Sequence, residues 1–320
     1  MKMAELVVEN MVELPTQKVL AVGFHPDGER IAAGDRDGYI HILERSSGRV
    51  IRTLGRHVEF VYCLAFDPDT GHLITSGKDK SLRVWDIDTG AMLYDMAGIF
   101  RGAGEARTIA SQSCRQGVRG HTLTVLSIAC APGGLMATGG QDCKVKYWKD
   151  GEPLRTYDWH SGPVTSVRFE PETGILYSGS KDQTIRSWNE QTGAVIHKYS
   201  GHISAICGLD FVSSGAFLSI DVSGMVLAWE TAQESMRSVF YRAPRRLMCS
   251  HLDRASGVLL LGGEDGALEA VAVDASDLES GAALCATRLH TAEVRCIDAH
   301  GNFVVSGDNS GRVVISRFKR

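Results

Sequence analysis

A chain of 320 residues, 43% of them hydrophobic, is long enough to bury a substantial core and too apolar to stay disordered. Its formal charge of −4 lacks the overall basic surplus expected of a nucleic-acid binder. No apolar run approaches a membrane span, and acidic residues interrupt the opening "MKMAELVVENMVEL" where a signal peptide needs an unbroken apolar segment, so a cytoplasmic or nuclear location is expected.

In chain order, the first element is a strand over 4–11, "AELVVENM", set ahead of a series of related units. The first unit carries "AAGDRDGYIHIL" (32–43) and the second "ITSGKDKSLRVW" (74–85). A Gly-, Ser- and Arg-rich insertion follows over 98–119. The frame then returns in "ATGGQDCKVKYW" (137–148), "YSGSKDQTIRSW" (177–188), "LSIDVSGMVLAW" (218–229), "LLGGEDGALEAV" (260–271) and "VSGDNSGRVVIS" (305–316). One anchor position recurs at Asp37, Asp79, Asp142, Asp182, Ser223, Asp265 and Ser310, in steps of 42, 63, 40, 41, 42 and 45 residues. The step of 63 is one period plus an insertion of about 20 residues.

Within each unit the apolar residues alternate, as in "VTSVRF" and "TIRSW", which is the two-residue period of a strand. Turn signals such as "HPDGER", "PETG" and "QTG" separate the runs, so each unit is four short antiparallel strands. Four strands cannot bury both faces alone, and units of this period pack radially. The predicted class is all-β: a seven-bladed β-propeller in one domain over 1–320. Its blades are expected at about 12–55, 56–97, 120–157, 158–199, 200–241, 242–288 and 289–320. The last unit has three strands, near 294–299, 302–307 and 312–318, and the strand at 4–11 is expected to supply its fourth and latch the ring.

"GH" stands at 120–121 and 201–202, lone histidines at His57, His160 and His290, and "WD" at Trp85 and Asp86. With these marks the chain resembles the WD-repeat family over nearly its whole length. The resemblance implies a buried hydrogen-bond network in a blade, made by a loop His, a second-strand Ser or Thr, a turn Asp and a third-strand Trp. The matching sets are His57, Thr75, Asp79 and Trp85; His121, Thr138, Asp142 and Trp148; and His160, Ser178, Asp182 and Trp188. Ser, His and Asp are also the parts of an acyl-transfer triad. Three copies suit a lock repeated in each blade, whereas an enzyme needs one nucleophile beside an oxyanion hole, and the chain has no G-x-S-x-G elbow.

No enzyme activity, cofactor, metal or small-molecule substrate is therefore expected. The eight cysteines form no C-x-x-C pair, and aligned first strands place Ala21, Cys63, Ser127, Ser166, Cys207, Cys249 and Cys296 at one position near the axis. The fifth blade keeps His202, Ser219 and Trp229 but has Ser223 at the aspartate position. Ala33 and Leu43, Leu261 and Val271, and Ser316 depart from the pattern in blades one, six and seven, which are expected to rely on apolar packing.

WD-repeat propellers serve unrelated processes, so function is expected on loops that the ring holds rigid. The Asp-bearing turns and the connections between blades share one face, here the top; the other turns make an acidic bottom. Basic and aromatic residues expected on top are Arg36, Lys78, Lys181, Tyr241, Arg242, Arg245 and Arg246. The insertion adds Phe100, Arg101, Arg107, Arg115 and Arg119. The expected function is a non-catalytic scaffold that holds other proteins in a multisubunit assembly through this face and the insertion. The alternative is an RNA-associated subunit of a ribonucleoprotein, its basic face on phosphates.

Overall fold

The computed structural model describes residues 5–95 and 120–319. Every regular element among them is a strand, and the strands form seven four-stranded antiparallel sheets. Blade four shows how the pattern works. Its strands Val164–Phe169, Leu176–Ser180, Thr184–Trp188 and Val195–Ser200 pair in chain order, and the turns between them fall at the Gly- and Asp-bearing breaks.

The innermost strands are Val19–Phe24, Val61–Phe66, Val125–Ala131, Val164–Phe169, Ile206–Ser213, Leu247–Asp253 and Val294–His300. Each packs on the next, and the last packs on the first, so the sheets close a ring. All seven carry a register shift at the same place, after a buried Val, Ile or Leu. The extra residue turns toward the axis: Tyr62, Leu126, Thr165, Cys207 and Met248 line a cavity of about 720 Å³ at the top mouth. The register corrects one expectation. Cys207 is the bulged residue, and Gly208 takes the position that Cys63, Cys249 and Cys296 fill in their blades.

Strand Glu5–Glu13 pairs antiparallel with Arg312–Lys319, from Glu5 opposite Lys319 to Glu13 opposite Arg312, and completes the seventh sheet. Leu6 and Phe318 then pack with Leu260 and Leu268 of blade six. The chain thus joins its own start and end within one sheet.

Apolar clusters fill the joints between blades. Trp188 packs with Tyr147, Tyr157 and Phe169, and Trp229 with Tyr177, Tyr199, Phe211 and Phe217. Burying each such side chain contributes about 1.5–3 kcal/mol. The leanest cluster among the described residues lies between blades two and three, where only Trp148 is aromatic.

Candidate functional site

The polar quartets are built alike in blades two, three and four. In blade four the Trp188 indole N–H donates to Ser178 Oγ at 2.8 Å. Ser178 Oγ lies 2.8 Å from His160 Nε2, and His160 Nδ1 lies 2.8 Å from Asp182 Oδ2. Because an indole can only donate, Ser178 accepts from it and turns its own O–H to Nε2, which leaves Nδ1–H for the carboxylate. Blade two repeats this with His57, Thr75, Asp79 and Trp85, and blade three with His121, Thr138, Asp142 and Trp148. Burial alone would raise the Asp182 carboxyl, but bonds from His160 and Thr184 outweigh it and hold the group well below the usual carboxylate range. The connectivity is that of an acyl-transfer triad. Ser178, however, is 0% exposed and its oxygen already receives the indole N–H, so no substrate carbonyl can reach it.

The fifth blade, expected to lack the carboxylate, has one. Asp221, two residues before Ser223, receives His202 Nδ1 at 2.9 Å, while Ser219 bridges His202 and Trp229 at 2.6 and 2.7 Å. Ser223 instead donates to Asp221. The seventh blade is corrected likewise: Asp308, His290 and Ser306 form the same chain, at 3.0 and 2.7 Å, and only the Trp is missing. In blade one a third-strand histidine substitutes, His41 Nε2 lying 3.1 Å from the buried Asp35. Blade six uses a different set, in which Arg245 pairs with Asp265 at 2.9 Å and Tyr241 donates to the buried Glu269.

In blades two to four the same carboxylates also fix the top loops. Asp79 accepts from the Val58 amide at 3.0 Å, Asp142 from Thr122 at 2.9 Å and Asp182 from Ser161 at 3.1 Å. The loops entering blades two to five in turn expose large apolar side chains: Val58 at 65%, Leu123 at 44%, Trp159 at 62% and Ile203 at 70%. Each stands within two residues of its blade's histidine. Blade seven has Thr291 in the corresponding place.

The basic residues expected on top are mostly paired. Lys78 Nζ lies 2.7 Å from Glu59 and Arg246 lies 3.3 Å from Glu264. Arg36 bonds Gln17 and sits 5.4 Å over the Phe60 ring. Tyr241 and Arg245 belong to the blade-six network described above. Lys181 and Arg242 are exposed, and Lys181 makes no ion pair among the described residues. Phe100, Arg101, Arg107, Arg115 and Arg119 lie outside the described residues.

A family model described as "WD domain, G-beta repeat" matches residues 11–43, 48–86, 112–149 and 151–189. The chain belongs to the WD-repeat family. It is 28% identical over 239 residues to a guanine nucleotide-binding protein subunit beta of Nicotiana tabacum, covering 69% of this chain and 59% of the relative. The corresponding Arabidopsis thaliana subunit is 28% identical over 204 residues, 60% of this chain and 50% of the relative. That of Solanum tuberosum is 27% identical over 239 residues, again 69% and 59%. The chain thus spans little more than half the length of the relatives it matches.

The WD-repeat matches stop at residue 189, yet blade five carries a full quartet. Its aspartate stands at the strand end and not in the turn. Blades one and seven share that choice with Asp35 and Asp308. In blades two and three the strand-end residue is Gly77 or Gly140, and a Cβ on Gly77 would sit 2.7 Å from both Asp79 and His57. One pocket beside the histidine is therefore filled by a carboxylate from either of two positions. The detectable signal is the swap of Gly for Asp, legible when "GGQD" is set against "IDVS" and "GDNS".

Proposed function

We propose that this WD-repeat propeller is a non-catalytic scaffold that binds a partner protein on the top of blades two to five. The observation that carries this is the run of Val58, Leu123, Trp159 and Ile203 on four consecutive blades, each exposed although large and apolar. Exposed apolar side chains in one patch mark interaction surfaces, and Trp is among the residues that most often anchor them. The histidine network holds these loops in place before a partner arrives, which lowers the ordering cost of binding. The relatives, named as subunits of guanine nucleotide-binding proteins, support a role as one subunit among several.

Lys181, which lines the axial cavity, and Arg242, which ends the outer strand of blade five, add positive charge suited to a partner with acidic residues around an apolar centre. The pairing of Lys78, Arg245 and Arg246 with carboxylates favours a protein partner over a phosphate backbone. The test is affinity purification of tagged Trp159→Glu and Ile203→Glu chains beside the unaltered one, with melting curves recorded for each. Partners lost from both variants at unchanged melting temperature are the expected result. Retention of every partner, or binding that falls log-linearly with salt as phosphate contacts do, would overturn it.

A further inference from the structure

The bottom of the ring is open between blades two and three. A groove of about 610 Å³ lies there, floored by Ile74, Val84, Leu135 and Met136. Three local departures make it. In blade one, Arg52 reaches across to the turn carbonyls of Asp88 and Thr89 at 2.9 and 3.1 Å. In blade three, Arg155 reaches the Gln191 carbonyl at 2.6 Å and Tyr147 donates to Glu190 at 2.7 Å. Blade two holds Tyr94 and Val84 at those two positions, paired across its outer strands as Arg155 and Tyr147 are in blade three. The facing turn of blade three is also two residues shorter than that of blade four, since Trp148 pairs with Pro153 where Trp188 pairs with Val195. The arginine strap that blades one and three send to the next turn, the tyrosine of blade three and the longer turn of blade four all lack a counterpart at this joint.

The lip is acidic. Asp67, Asp69 and Asp150 line it, and none of them enters an ion pair among the described residues. Asp69 accepts from the Gly133 amide at 2.7 Å, which ties the two sides of the opening and keeps the groove formed. A preformed apolar slot of this size with a few polar groups at its edge has the proportions of a binding site.

We propose that this groove is a second docking site, separate from the top face, for a short segment of another protein that presents one aromatic or branched apolar side chain between basic residues. The apolar side chain enters over Ile74 and Met136, and the flanking cations meet Asp67, Asp69 and Asp150. Burying a side chain of phenylalanine size supplies most of the affinity, and the rim charges supply selection and orientation.

The probe is a fluorescein-labelled pentapeptide, Gly-Arg-Phe-Arg-Gly, followed by fluorescence anisotropy with the full chain. Two control peptides replace its Phe by Ser or both Arg by Glu. At least tenfold weaker binding of each control is expected, with a two- to fivefold loss for Asp150→Asn, as for a surface ion pair. Val84→Trp, which fills the slot, and Tyr94→Arg, which restores the strap, should each abolish binding. Tyr94→Arg alters an exposed edge position and decides the matter if Val84→Trp fails to fold. Equal binding of all three peptides, or unchanged binding by folded Tyr94→Arg, would overturn the proposal. So would binding that appears only after deletion of 98–119, which makes the insertion the occupant. A dimer in sedimentation that Tyr94→Arg dissolves would make the occupant a second copy and overturn it too.

Discussion

Blades two to five and blades one, six and seven reach the same four-stranded shape by different means. The first group carries all five tryptophans, four of them as indole donors inside a complete quartet. The second has none: His41 and Asp35 brace the Asp-bearing turn of blade one, Arg245 ties the entry loop of blade six to Asp265 and Glu269, and blade seven has a quartet lacking its Trp. The comparison teaches that each blade fixes its top loops with buried polar groups, and that several polar sets can do it. What the quartet adds is a fixed display of the residue beside the histidine. The exposed apolar side chains stand over the group that has it.

The largest effect that separates the groups is loss of an indole. Trp229 is fully buried among Tyr177, Tyr199, Phe211 and Phe217 and also donates to Ser219. Trp229→Ala is expected to cost about 3–5 kcal/mol, the range for deleting a large buried aromatic. Denaturant unfolding measures it. A loss below that of a buried valine such as Val271 of blade six would show that the tryptophans do not distinguish the two groups.

A middle effect concerns the aspartates. Asp221→Ala is expected to destabilise by about 1–3 kcal/mol by leaving the His202 donor and the turn amides unpaired, while Ser223→Ala costs less. The reverse order would return the fifth blade to the incomplete group. Acid sharpens the same point. Burial opposes ionisation of Asp308, yet bonds from His290 and Ser310 bring its pKa down from 3.8 to about 2. A carboxylate depressed in this way stabilises the fold fully above its unfolded value and loses that contribution as protons bind. The melting temperature should therefore hold steady down to about pH 4 and fall as pH drops from there through about 2. A melting temperature flat through that window would remove the aspartates from the account.

The ring was legible because repetition fixes it: seven anchors at one spacing permit little besides a propeller, and the spare strand at the start had one unfilled place to go. The quartets of blades two to four were legible for the same reason. Asp221 and Asp308 were not, because alignment on the turn hides a carboxylate that reaches the same histidine from two residues earlier. Nor were the engagements of Arg245 and Tyr241, since charge in a loop reads as surface until its partners Asp265 and Glu269, far off in sequence, are seen beside it. The groove between blades two and three depends on what is missing from a joint, which no single motif reports.

The smallest expected effect lies in the turn after each anchor, where blade five sides with the second group and only blades two to four stand apart. Blades two, three and four place Lys80, Cys143 and Gln183 there with φ of 68°, 64° and 69°, a left-handed conformation that crowds a Cβ. The other blades have glycine, and in blade six Gly266 also lies against the next loop, where a Cβ would collide with the His290 carbonyl. Relief of strain in Gln183→Gly is partly offset by the greater freedom of glycine in the unfolded chain, so a gain of about 0.5 kcal/mol is expected. Gly266→Gln meets both the backbone strain and the collision and should lose about 2 kcal/mol or more. If Gln183→Gly also lost stability, the Gln183 side chain would have to be holding the turn. The left-handed residue would then be a supported feature of blades two to four and not a tolerated cost.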